Sequence, residues 1–136
     1  MVSVGQTLLD MAKSQLKTYD IIMSAACEDM GIIGCAAFHL HQSIELALKH
    51  CMELSGTQYP PTADVGQLLS AMDFSDIFSK NTLESLFLAS GTITEMGAEF
   101  RYTRDYCLSS STVSDVARLT RSVLEEVEHF TNARGS

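Results

Sequence analysis

The chain has 136 residues, 46% of them hydrophobic and 19% charged, a balance that suits one folded domain and excludes a disordered acidic tail. At this length roughly 70% of the unfolded surface is buried on folding, so a core needs neither disulfides nor a metal. Seventeen acidic residues against nine basic ones give a formal charge of −8, which excludes nucleic-acid binding through bulk electrostatics and leaves it to a local basic patch.

Trp is absent and aromatic residues are 7% of the chain, which disfavours a base-stacking platform. The longest apolar stretch, Ile32 to Leu40, is short and contains His39, well under the ~18 residues of a membrane-spanning helix. Met1-Val2-Ser3-Val4-Gly5-Gln6 lacks the basic start of a signal peptide. Cys27, Cys35, Cys51 and Cys107 have no Cys-x-x-Cys spacing and sit among apolar neighbours. They are expected to be buried free thiols of a cytoplasmic protein.

Leu9, Ala12, Leu16, Tyr19, Met23, Ala26 and Met30 recur at steps of three and four and predict a helix over about 3–27, broken at Glu28-Asp29-Met30-Gly31. Ile33, Ala37, Leu40, Ile44, Ala47, Cys51 and Leu54 continue the pattern over about 30–55, with Ser55-Gly56 as a C-terminal cap. The connector Thr57-Gln58-Tyr59-Pro60-Pro61 holds both prolines and is expected to be stiff and extended. Thr62 or Asp64 then caps a short helix through Leu68, Leu69 and Met72. Asp73 to Lys80 reads as a loop anchored by Phe74 and Phe78.

Asn81 with Glu84 starts a further helix through Leu83, Leu86, Ser90, Ile93, Gly97 and Phe100 to about residue 100. Gly91 and Gly97 inside it are expected either to permit close helix packing or to kink it. Thr112 with Asp115 resembles a capping box ahead of a last helix marked by Val113, Val116, Thr120, Val123, Val127 and Phe130. With no period-2 strand and no internal repeat, the expected fold is all-α, an up-and-down four-helix bundle with one additional short helix, in a single domain over 1–136.

Beside the core stripe of the second long helix runs a second one, Phe38, Gln42, Glu45, Lys49 and Met52. Glu45 and Lys49 stand in the favourable i,i+4 order, so the stripe reads either as a solvated face or as a polar groove lined by Gln42, Glu45 and Lys49. A carboxylate metal site in a bundle needs two Glu-x-x-His motifs, and only Glu126-x-x-His129 is present. Cys35 and His39 share a face but are two ligands only. Neither a metal nor a cofactor is expected. The common phosphate loops and the Gly-x-Ser-x-Gly elbow are absent. Arg101, Arg104, Arg118 and Arg121 against Asp105 and Asp115 make 101–121 basic in an acidic chain. Some of that charge complements helix dipoles, and the rest suits bidentate contact with a phosphate.

Ala36-Ala37-Phe38-His39-Leu40-His41-Gln42-Ser43-Ile44-Glu45-Leu46-Ala47-Leu48-Lys49 resembles the second helix of HEPN domains. Tyr59-Pro60-Pro61-Thr62-Ala63-Asp64-Val65 is similar to the family's Pro-x-Thr-His-Asp-Leu connector, and Arg101-Tyr102 to its Arg-Tyr-Pro. The resemblance covers about residues 5–130. It implies a helical bundle that dimerises and takes part in nucleotide or RNA transactions, often beside a nucleotidyltransferase in toxin–antitoxin or defence systems. Carried over residue by residue, it points to Arg101, Gln42, Glu45 and Lys49 as nucleotide- or phosphate-binding, and Tyr102 and Arg104 beside Arg101 join them as candidates for the same role.

The family's ribonucleases place a His four to six residues after the Arg. Neither Arg101 nor Arg104 is followed by one, and Ala63 and Thr103 stand where the family often has His and Pro. The expected function is therefore a non-catalytic binding module with no catalytic residue, acting with a nucleotide, RNA or a nucleotidyltransferase partner. Two alternatives stay open. One is a metal-independent ribonuclease that pairs Arg101 with Tyr106 or a dimer-related His. The other is a helical adaptor with no small ligand. Leu46, Leu48, Phe87 and Met96 lie off the apolar stripes, and this surplus, with the resemblance, predicts a two-fold homodimer.

Overall fold

The computed structural model describes residues 7–26, 29–98 and 109–134. Five helices follow in order: α1 (Leu8–Ala26), α2 (Met30–Leu54), α3 (Val65–Ser70), α4 (Lys80–Met96) and α5 (Ser110–Arg134). Among the described residues there is no strand, so the fold is the all-α bundle with one short helix. No described helix is long and apolar enough to cross a membrane.

Short polar side chains start each helix by taking backbone N–H groups that have no partner in the first turn. Thr7 and Asp10 bond each other's N–H groups at α1, while Asp29 accepts from Ile32 at α2 and Asp64 from Gln67 at α3. Asp29 is thus the cause of the break expected at 28–31, and Glu28 itself lies outside the described residues. Ser79 caps α4 and Ser109 caps α5. The expected starts at Asn81 and Thr112 are therefore corrected by about one turn. The Ser79 and Ser109 hydroxyls accept from Thr82 N–H and Thr112 N–H, and Asp115 pairs with Arg118 instead of closing a box.

The C-terminus of α2 fulfils the expected cap. Gly56 adopts φ 72°, Thr57 N–H donates to Met52 O, and Gly56 N–H donates to Glu53 O. Only a residue without a side chain takes that left-handed turn at no steric cost.

Cross-helix pairs set the directions. Lys13–Glu128 and Asp20–Arg121 join α1 antiparallel to α5. The Ser43 hydroxyl donates to Ala12 O on α1, and His50 meets Thr131 where α2 and α5 run parallel. The Glu126 carboxylate accepts from Ser79 N–H and from the Thr82 hydroxyl, tying α5 to the start of α4. The chain therefore runs up, down, up, down. α2 and α5 pack on each other, and each also packs on α1 and α4.

That central position accounts for two corrections to the apolar surplus. Leu48 on α2 and Met96 on α4 are fully buried within one chain, because α2 is covered over a wider arc than its periodic stripe indicates. Leu46 is half-buried, and of the four off-stripe residues Phe87 alone is exposed. α4 also ends at Met96, with Gly97 as its C-cap rather than inside it. Gly91 has nothing within 4 Å of where a Cβ would stand, so intrachain close packing does not explain it. The loop anchors hold: Phe74 and Phe78 are buried and stacked with centroids 5.8 Å apart. Cys51 is buried as expected and Cys35 is exposed, against expectation; Cys27 and Cys107 lie outside the described residues.

Candidate functional site

On α2 the second stripe is largely covered, which corrects the reading of a solvated face. The connector 57–64 lies over it because Pro60 and Pro61 keep that segment extended, and because Val65 N–H donates to the Thr94 hydroxyl of α4. Glu45 and Lys49 keep only 13% and 16% of their side-chain surface exposed and pair at 2.8 Å. The Lys49 ammonium also stands 5.3 Å from the Tyr59 ring centroid, within range of a cation–π attraction.

One turn before Glu45, His41 is 2% exposed. Its Nε2 lies 2.9 Å from the backbone oxygen of Ala63, which only an N–H can satisfy, so Nε2 carries the proton. Nδ1 is then an acceptor, and the Gln42 amide approaches it at 3.5 Å. The Glu45 carboxylate is 3.6 Å from His41 Nε2. Gln42, Glu45 and Lys49 are thereby brought into one polar string along α2, with His41 at one end and Tyr59 at the other. Beyond Tyr59 a concavity of about 450 Å³ is lined by Glu53, Gly56, Thr57, Gln58 and Tyr59.

The His41 end of the string touches the end of α4. A Cβ on Gly97 would lie 2.5 Å from His41 Cε1 and 2.6 Å from Cγ, so only glycine lets α4 finish against this ring. Arg101, Tyr102 and Arg104 follow Gly97 closely in sequence and lie outside the described residues, as does Tyr106.

The basic cluster expected over 101–121 is not gathered in its described part. Arg118 is exposed and paired with Asp115. Arg121 is directed across to α1, where it bonds both Asp20 oxygens, Nη1 to Oδ2 at 3.1 Å. Each guanidinium pairs with its own carboxylate at the exposed surface, so the two do not converge on one point.

His41 was not legible as a site residue because it sits among the apolar positions Ala37, Leu40 and Ile44. The available signal was its i,i+4 spacing to Glu45. Among the described residues no group of three or more His, Cys, Asp or Glu is placed to hold a metal ion. Glu126 caps α4 and His129 is exposed. The Nδ1 of His39 lies 2.6 Å from Gln15 Oε1 on α1, and burial depresses its pKa. The string is thus a hydrogen-bonded polar element with one compensated ion pair.

No curated protein and no solved structure matches the chain. The HEPN domain profile matches residues 6–130, which takes in α1 to α4 and all but the last turn of α5, and the chain belongs to the HEPN domain family.

Proposed function

We propose that this HEPN domain is a non-catalytic module that binds a nucleotide or RNA in the cytoplasm. It would act as a homodimer beside a nucleotidyltransferase, in a toxin–antitoxin or defence setting. The observation that carries the reading is the covered string His41–Gln42–Glu45–Lys49. It ends against Gly97, four residues before Arg101 in the chain. Covering an ion pair removes both charges from water, a cost that its mutual attraction only partly offsets. A surface that retains one beside a concavity has groups for a ligand's polar edges. Because Glu45 already neutralises Lys49, the charge that attracts phosphate falls to Arg101 and Arg104, with Tyr102 beside them. Gln42 and Glu45 supply contacts to base or ribose.

The geometry around His41 supports the absence of catalysis. Among the described residues it is the imidazole at the end of α4: its Nε2 donates to Ala63 O, and its accepting Nδ1 belongs to a ring that is 2% exposed and faces Gly97. A general base needs a free, solvent-reachable nitrogen at the reacting proton.

Native mass spectrometry of the protein purified from its source tests the proposal. A co-purifying nucleotide or RNA, released by high salt, is the expected result. A bound protein with no nucleic component would favour the adaptor. Chelator-insensitive RNA cleavage that depends on Arg101 would favour the ribonuclease.

A further inference from the structure

The exposed side of α4 presents a self-complementary stripe. Thr82, Leu86, Ile93 and Met96 bury the inner face of this helix. Directly opposite them, Lys80, Glu84, Phe87, Gly91 and Glu95 recur at steps of four, three, four and four and are all exposed. Phe87 is 48% exposed and its neighbour Leu88 88%. Two adjacent large apolar side chains in water at mid-helix are a poor solution for an isolated domain. Gly91 sits one turn further on the same face, where glycine weakens a helix relative to alanine. Nothing lies within 4 Å of its virtual Cβ to justify it. Flanking Leu88 is a groove of about 430 Å³ between α4 and α5, floored by Ala89, Val116 and Leu119.

We propose that this face of α4 is the seam of a two-fold homodimer in which α4 packs antiparallel on the α4 of a second copy, centred between Phe87 and Leu88. The proposal rests on the homodimer reading above and assigns it a surface. The register follows from charge. With that centre, Lys80 of each copy stands opposite Glu95 of the other, which places an attractive pair at both ends of the seam. Glu84 stands opposite Gly91, where the missing side chain leaves room for the second helix to approach. Phe87 and Leu88 of both copies meet in the middle, with Leu88 on the side of the groove that the second copy can fill. A two-fold interface demands such self-matching from one patch. A chain with formal charge −8 is on the whole repelled by its own copy, and the two Lys80–Glu95 pairs offset part of that repulsion at this seam.

Sedimentation equilibrium of the full chain tests the seam. Wild type is expected to be dimeric at about 100 µM. Leu88→Glu changes an exposed side chain and should leave the helical CD signal intact while raising the dimer dissociation constant roughly 30-fold or more. Lys80→Glu should weaken the dimer, and adding Glu95→Lys should restore it. Gly91→Gln should raise the melting temperature of the dissociated chain and at the same time weaken the dimer, a pair of signs that a purely structural role would not produce. A monomeric wild type would overturn the dimer itself. A dimer indifferent to Leu88→Glu and to the charge swap would overturn the seam alone.

Discussion

Gly97→Ala is the sharpest perturbation that the structure offers. The backbone of Gly97 has φ −95°, which alanine accepts, so the cost comes only from the methyl group. That methyl would press on the His41 ring, 2.5 Å from Cε1 and 2.6 Å from Cγ. The ring cannot step aside freely, since it is buried and held by Ala63 O at 2.9 Å. Forcing a methyl into a packed site costs about 1–3 kcal/mol. If the ring rotates instead, a buried carbonyl loses its donor at a cost of about 1–3 kcal/mol. The smaller of the two routes is taken, so a loss of about 2 kcal/mol is expected, a fall in Tm of roughly 5–10 °C for a domain of this size. Gly34→Ala is the control: it lies inside α2 with nothing within 4 Å and should stabilise by about 0.5–1 kcal/mol. Urea denaturation of both, with His41→Ala and the Gly97→Ala/His41→Ala double variant, completes a thermodynamic cycle. The double variant should be more stable than the sum of its parts. Equal stability of Gly97→Ala and wild type, or strict additivity with His41→Ala, would refute the contact.

Other outcomes follow from burial and capping. Burial lowers the pKa of both His50 and His39 in the folded chain, so below about pH 6.5 the unfolded chain takes up the protons more readily. Stability should be full above that pH and fall as the solution is acidified, with a shallower fall in a His39→Gln/His50→Gln variant. Nδ1 of His50 is buried without a hydrogen-bond partner, so a proton added there gains no acceptor. Glu126→Ala removes the acceptor for Ser79 N–H and the Thr82 hydroxyl and should cost about 1–2 kcal/mol in urea denaturation. Burial pushes the Cys51 thiol up to about 12, whereas Cys35 is exposed. Under native conditions, peptide mapping after thiol labelling should find Cys35 modified and Cys51 protected until the chain unfolds.

The helices were legible in the sequence because each buries one face against the α2–α5 pair, and burial at steps of three and four leaves its mark in residue type. The short anchors Phe74 and Phe78, and the Ser55-Gly56 cap, were legible for equally local reasons. Helix starts were displaced at Asn81 and Thr112, where Ser79 and Ser109 can cap equally well and pattern alone does not choose between neighbours. The stripe of Gln42, Glu45 and Lys49 stayed open between a solvated face and a polar groove, because periodicity in one helix is blind to a distant segment folding over it. Here that segment is the proline-stiffened connector. His41 entered the sequence reading only as part of the second-helix stretch, and Gly97 only as a helix-interior glycine. Their dependence on each other exists only in three dimensions. Arg118 and Arg121 looked like part of one basic cluster, yet Asp115 and Asp20 draw them apart.

The central claim is that the chain holds phosphate-bearing ligands through Arg101 without cutting RNA. It is tested most directly by fluorescence anisotropy of a short end-labelled single-stranded RNA, titrated with wild type and Arg101→Ala over a range of salt, with the RNA length checked afterwards. Weak binding by wild type that falls as salt rises, loss of that binding in Arg101→Ala with an unchanged melting curve, and intact RNA at neutral pH are expected. Equal binding by the two proteins, or no binding by wild type at low salt, would contradict it.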